Sequence, residues 1–146
     1  MVLRSALPVE MVGWQLCRGG AVLNDGEISA TLALGTAKAR FAIDCNSRAR
    51  AAYKTQTGED GIALPDPTAM AIALDRSIGT EWSAHYVEVE TQSDLTRGMT
   101  IVDRLNVAQD ESNRDDWAQA LAGRKTDVCW TLDVARFKAM LMRSLD

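Results

Sequence analysis

A chain of 146 residues, 47% apolar and 25% charged, carries enough material for one domain with a buried core. Its 16 Lys and Arg against 20 Asp and Glu leave a net charge of −4, so no global field draws a polyanion and nucleic acid is not an expected partner. Cys17, Cys45 and Cys129 are odd in number, far apart and without a CxxC spacing, which argues against a disulfide framework or structural zinc and fits reduced, cytoplasmic thiols.

From Met1 to Trp14 there is no long apolar core or small-residue cleavage site, and no stretch approaches the ~20 apolar residues of a membrane span, so no membrane role is expected. Pro8 to Leu16 reads as a short buried strand through Val9, Met11 and Val12. Its abrupt start suggests the later part of a larger fold. Asn24-Asp25 can cap a short helix through Ile28 and Leu32 that Gly35 ends; Thr36 can cap a longer one reaching about Tyr53. In that second helix Ala37, Phe41, Cys45, Ala49 and Tyr53 share a face and predict a core stripe, with Lys38, Arg40, Arg48 and Arg50 as a solvated basic flank.

Next comes Asp66, set between Pro65 and Pro67. Pro65 keeps its predecessor extended, Pro67 suits a first helical position, and Ala69 to Leu74 predict a buried helix. A carboxylate held this way has two readings: an N-cap for the amides two and three residues on, or a metal ligand. Asp75 falls at the far end of that helix, about 13 Å away at ~1.5 Å per residue, and cannot share an ion with it.

Ala84 to Thr91 alternates as a strand with His85, Val87 and Val89 on the core side, and Ser93-Asp94 and Gly98 turn it into a hairpin with Met99 to Asp103. The single histidine on an apolar face reads as a hydrogen-bonded structural residue. Asn106 to Lys125 is a polar surface connection with a helical turn or two from Asp115 to Leu121. Val128, Trp130 and Leu132 form a last strand, and Asp133 caps a helix with Val134, Phe137, Leu141 and Leu145 as its stripe. The order predicts an α/β layered fold with a mixed sheet.

Hydrolytic triads, phosphate-binding glycine loops and zinc motifs are all absent from the sequence. No catalytic residue is therefore assigned. What remains is oxygen chemistry around Asp66, and a lone Asp is a poor site for calcium, which takes 6–8 oxygen ligands.

The run Glu59-Asp-Gly-Ile-Ala-Leu-Pro-Asp-Pro-Thr-Ala-Met-Ala71, followed by Val87-Glu-Val-Glu-Thr-Gln-Ser-Asp-Leu-Thr-Arg-Gly-Met-Thr-Ile-Val-Asp103, resembles the carboxy-terminal part of nucleoside hydrolases of the inosine-uridine type. Leu7 to Gly13 and Arg136 to Leu141 sit where that family has a strand and a last helix, so the resemblance covers essentially residues 1–146. It implies a Rossmann-like α/β fold with flanking helices, incomplete here. It also implies hydrolysis of the N-glycosidic bond of ribonucleosides to ribose and free base, with bound calcium. Asp66 matches a calcium ligand of the family, and Tyr53 a position where some relatives set an aromatic or polar side chain against the base, beside its plainer reading as a core contact.

Two departures accompany the resemblance. The family's amino-terminal Asp-Thr-Asp-Pro-Gly-x-Asp-Asp cluster and its Glu-Phe-Asn segment have no counterpart, and Pro65 stands where relatives often carry His or Trp. The chain is thus expected to be inactive alone, and to be a homo-oligomer or to depend on a missing amino-terminal half. The alternative is a non-catalytic, degenerate binding or assembly module on the same scaffold.

Overall fold

The helix starts follow local capping chemistry. In the computed structural model, which describes residues 2–5 and 7–146, the elements run β1 (Glu10–Val12), α1 (Asp25–Ala33), α2 (Ala37–Asp44), α3 (Ser47–Thr57), α4 (Pro65–Leu74), β2 (Gly79–His85), β3 (Val87–Val89), β4 (Thr100–Val102), α5 (Ala118–Leu121), β5 (Thr126–Leu132) and α6 (Val134–Leu145). Asn24 caps α1 in a reciprocal box with Glu27, Thr36 accepts from the Ala39 amide at α2, and Asp133 accepts from the Arg136 amide at α6. Gly58, at φ +78°, closes α3 in the left-handed conformation that glycine adopts without steric cost. None of the described helices is long and apolar enough to cross a membrane.

Strands β1, β5 and β2 hydrogen-bond in that order, and β3 and β4 form a separate pair. β5 and β2 run antiparallel. The Asp133 amide donates to the Ile78 carbonyl at 2.8 Å, and two residues along, the Thr80 and Thr131 hydroxyls meet at 2.7 Å.

The chain forms two compact units, and Val12–Glu81 with Trp130–Asp146 make the larger. Its core joins Leu23, Ile28, Ile43, Ile62 and Leu64, with Leu141 of α6 packed against it. An antiparallel bridge pins Leu23 to Ile62 through backbone bonds of 3.0 and 2.9 Å. The preceding Gly61 is required by close approach: a Cβ there would lie 2.6 Å from Val22 Cγ1 and 3.1 Å from the Leu23 carbonyl oxygen. This clamp fixes the segment that leads into α4, and α4 packs on α6 and on the 3-10 turn Trp14–Cys17.

The second unit comprises the described residues of Met1–Met11 and Trp82–Cys129. Here β3 and β4 pair antiparallel with Val87 opposite Val102 and Val89 opposite Thr100. Buried Asp103 accepts from the Val107 and Ala108 amides at 2.8 and 3.0 Å, ordering the turn Val107–Gln109. His85 has the structural role expected of it, with Nδ1 2.8 Å from the Asp103 carbonyl and Nε2 2.7 Å from the Ser83 hydroxyl.

Four expectations are corrected. The strand expected over 8–16 is only β1, because the chain turns at Gly13 into Trp14–Cys17, where the Cys17 thiol bonds the Trp14 carbonyl at 3.0 Å. The long helix to Tyr53 breaks between α2 and α3. Asn46 turns its side-chain amide onto the Ala42 carbonyl at 2.9 Å, taking the acceptor that its own backbone N–H would use in a continuous helix. The stripe changes accordingly: Ala39, Ile43 and Tyr53 are buried, whereas Phe41 is 72% exposed and Ala37, Cys45 and Ala49 face solvent. The strand expected over 84–91 divides at Tyr86 between two sheets, with the Tyr86 carbonyl accepting from the Asp103 amide at 2.9 Å. Finally, the helix after Asp66 begins at Pro65 rather than Pro67 and is buried on one side only.

Candidate functional site

Two prolines make the start of α4 unusual. Pro65 and Pro67 lack N–H groups and the Thr68 amide already reaches the Leu64 carbonyl at 3.1 Å, so few donors at this helix end call for a cap. Thr68 is buried and returns its hydroxyl to the same Leu64 carbonyl at 2.7 Å. Leu64 occupies the N-cap position and makes no side-chain cap bond. Asp66 is therefore not the helix cap: it stands at the second helical position, exposed, and among the described residues none bonds or pairs with its carboxylate. The positive end of the helix dipole favours a carboxylate there.

Beneath α4 lies Trp14–Cys17. Burial pushes the Cys17 thiol pKa above its ordinary value, with neighbouring Arg18 opposing and Asp66 adding to the rise, so both charges act on this thiol. The Arg18 guanidinium stacks on Trp14 at 5.2 Å and on Tyr53 at 5.7 Å, and donates to Gln56 at 3.1 Å. Tyr53 is only 7% exposed, with its hydroxyl donating to Glu59 at 3.3 Å. Tyr53 and Asp66 thus lie in one unit, with Arg18 stacked on Tyr53. Trp14 was not expected here because 8–16 read as a strand, Cys17 was read only as a reduced thiol, and Arg18 was given no role. The spacing of an aromatic and an arginine four residues apart was the signal available.

Calcium takes 6–8 oxygens, and among the described residues no group of three or more His, Cys, Asp or Glu is placed to hold a metal. Asp60 is committed to Arg50 at 2.6 Å and Lys54 at 3.4 Å, and the Arg50 bond chiefly holds its carboxyl below the usual range. Asp75 is likewise lowered, first by the Ser77 hydroxyl at 2.6 Å, and it also binds Arg136 at 2.9 Å. Asp66 fits one ligand position of such an ion, and the described residues do not fit the whole cage. A cleft of about 650 Å³ in the other unit, lined among others by Glu88, Glu90, Asp116 and Trp117, does not include it.

Comparison with known proteins agrees with the fold. The profile of the inosine-uridine preferring nucleoside hydrolase family matches residues 1–139. A plant nucleoside hydrolase structure superposes with a TM-score of 0.82 at 18% identity, over 99% of this chain and 43% of its own. A purine-preferring ribonucleoside hydrolase from Gardnerella vaginalis gives 0.68 at 26% identity, over 99% of this chain and 41% of its own. An inosine-guanosine nucleoside hydrolase gives 0.69 at 20% identity, over 93% and 38%. The α/β mixed-sheet architecture is thus that of nucleoside hydrolases, and the chain spans about two-fifths of the length of these solved relatives. Among curated proteins the sequence has no match.

Proposed function

The chain belongs to the inosine-uridine preferring nucleoside hydrolase family, and from that premise we propose that it forms the carboxy-terminal segment of a nucleoside N-ribohydrolase site. The reaction is cleavage of the N-glycosidic bond of a ribonucleoside to ribose and free base. The observation that carries the reading is Asp66: a carboxylate fixed by flanking prolines, exposed, and released from capping duty. Its proposed role is as one ligand of a calcium ion whose other oxygens come from sequence not present here.

Asp66 would hold one side of such an ion, and the chemistry the ion would supply is a water of lowered pKa near neutral pH. This chain's own contribution is orientation. Pro65 and Pro67 limit the backbone freedom of Asp66, and the Leu23–Ile62 bridge anchors the segment before it. Tyr53, held by Arg18 and Glu59, is the proposed wall toward the base. Pro65 donates no proton, so leaving-group activation must come from another residue. The reduced thiols favour a cytoplasmic setting, and assembly as a homo-oligomer or with the completing portion is part of the same proposal.

A reducing-sugar assay with inosine, uridine and cytidine, with and without calcium, tests this reading. The isolated chain should show no turnover, and hydrolysis should appear with a completing segment and vanish in Asp66→Asn. Turnover by the 146 residues alone, or Asp66-independent turnover in the completed enzyme, contradicts it. The second reading, a non-catalytic binding or assembly module, is favoured by Pro65 and predicts no hydrolysis under either condition.

A further inference from the structure

The bond that seats His85 in its unit also fixes which ring nitrogen carries the proton. A backbone carbonyl can only accept, so Nδ1, 2.8 Å from the Asp103 carbonyl, is the N–H of the uncharged ring and Nε2 keeps its lone pair. That lone pair faces the Ser83 hydroxyl at 2.7 Å, two residues back on the same face of β2, and Ser83 therefore donates to it. The carbonyl that orients the ring is itself held. The Asp103 amide donates to the Tyr86 carbonyl at 2.9 Å, its carboxylate accepts from the Val107 and Ala108 amides, and the residue is only 3% exposed. His85 is 9% exposed, whereas Ser83 is open to solvent. A surface hydroxyl bonded to a buried imidazole whose other nitrogen is anchored has the order of groups that activates a serine nucleophile.

We propose that Ser83 and His85 form a nucleophile and base pair through which the chain takes up an acyl group from small activated esters or thioesters. As Ser83 Oγ bonds to the acyl carbon, its proton passes to His85 Nε2. The bond from that carbon to the leaving oxygen or sulfur then breaks, and the leaving group takes the proton from Nε2 and departs as an alcohol or thiol. The ring returns to its starting tautomer, and Ser83 carries the ester. The Asp103 carbonyl keeps the Nδ1–H throughout and stabilises the imidazolium formed in between. A serine and a histidine two residues apart make no motif; the partner that sets the tautomer lies 18 residues further on and is supplied by the fold. The three residues sit in the unit that does not contain Asp66, so the proposal needs neither a metal nor the hydrolase reading.

The test treats the 146-residue chain with para-nitrophenyl acetate at neutral pH and follows nitrophenolate release, intact mass and acetylated peptides by mass spectrometry. The expected result is one acetyl ester on Ser83, formed at least about ten-fold faster than on any other hydroxyl. His85→Asn keeps a side-chain N–H for the Asp103 carbonyl but has no basic nitrogen. It should retain the wild-type circular dichroism spectrum and acetylate Ser83 at least about ten-fold more slowly. Ser83→Ala, at an exposed position, should fold as wild type and lose the fast phase of nitrophenolate release. Acetyl esters spread over the hydroxyls without preference for Ser83, a fast phase that persists in Ser83→Ala, or a folded His85→Asn chain that acetylates Ser83 at the wild-type rate overturns the proposal.

Discussion

Lys138 and Glu27 lie 111 residues apart in the chain, yet the Lys138 ammonium reaches both Glu27 carboxylate oxygens, at 2.6 and 2.8 Å. The same ammonium donates to the Val22 carbonyl at 3.0 Å, and Glu27 also accepts from the Asn24 amide at 3.0 Å. One cation on α6 thereby locks the capping box of α1. Lys138→Met should destabilise the chain by about 1–3 kcal/mol, because a partly buried, charge-assisted network loses its donor. Urea unfolding followed by circular dichroism measures this, and an unchanged midpoint would count against the lock.

Acid sensitivity follows from the same pair. Burial raises the Glu27 pKa, but the Lys138 and Asn24 bonds outweigh it and hold the group below 4.5. A folded-state pKa below the unfolded value contributes stability that is complete above the unfolded pKa and lost as pH falls through the folded one. Asp60, Asp75 and Glu90 are depressed too and act with the same sign. Unfolding free energy should thus be nearly flat from pH 7 to about 5 and decline below about 4.5. The gap between wild type and Lys138→Met should narrow over that decline; a constant gap to pH 3 would contradict the linkage.

Asp66→Ala separates a ligand from a cap. Loss of an N-cap costs about 0.5–2 kcal/mol, whereas Asp66 makes no cap bond and forfeits only a dipole interaction of about 0.3–1 kcal/mol. Thermal melts should therefore shift little. A loss approaching 2 kcal/mol would restore the capping reading.

Thiol chemistry should single out one cysteine. Cys45 is exposed, while Cys17 and Cys129 are buried and burial raises the Cys17 pKa. Iodoacetamide at neutral pH should alkylate Cys45 alone in the native chain and all three in urea, with peptide mass mapping as readout. Native labelling of Cys17 would show its surroundings to be open.

His85→Ala should cost about 1–3 kcal/mol by leaving the Asp103 carbonyl without its ring donor. The effect belongs to the Trp82–Cys129 region, so Asp66-dependent behaviour should be unaltered. Selective loss of a ligand response without loss of stability would instead assign the histidine a functional role.

Local chemistry made much of this molecule legible in its sequence. Asn24, Thr36 and Asp133 cap helices through bonds to amides three residues on, and the α6 stripe through Phe137 and Leu141 needs only a 3.6-residue period. The family was legible too, because its motifs are contiguous runs. Tertiary structure decided what depends on distant partners. Asn46 chose the Ala42 carbonyl over a continuous helix, and α2 turned Ala39 and Ile43 rather than Phe41 to the core. The strand around Tyr86 split because its two halves pair with different strands. Asp66 shows the boundary most clearly. The sequence alone placed a carboxylate between two prolines at a helix start. Only the folded chain, by seating Leu64 at the cap and leaving few amides in need of one, decided that this carboxylate is left exposed and without a capping bond.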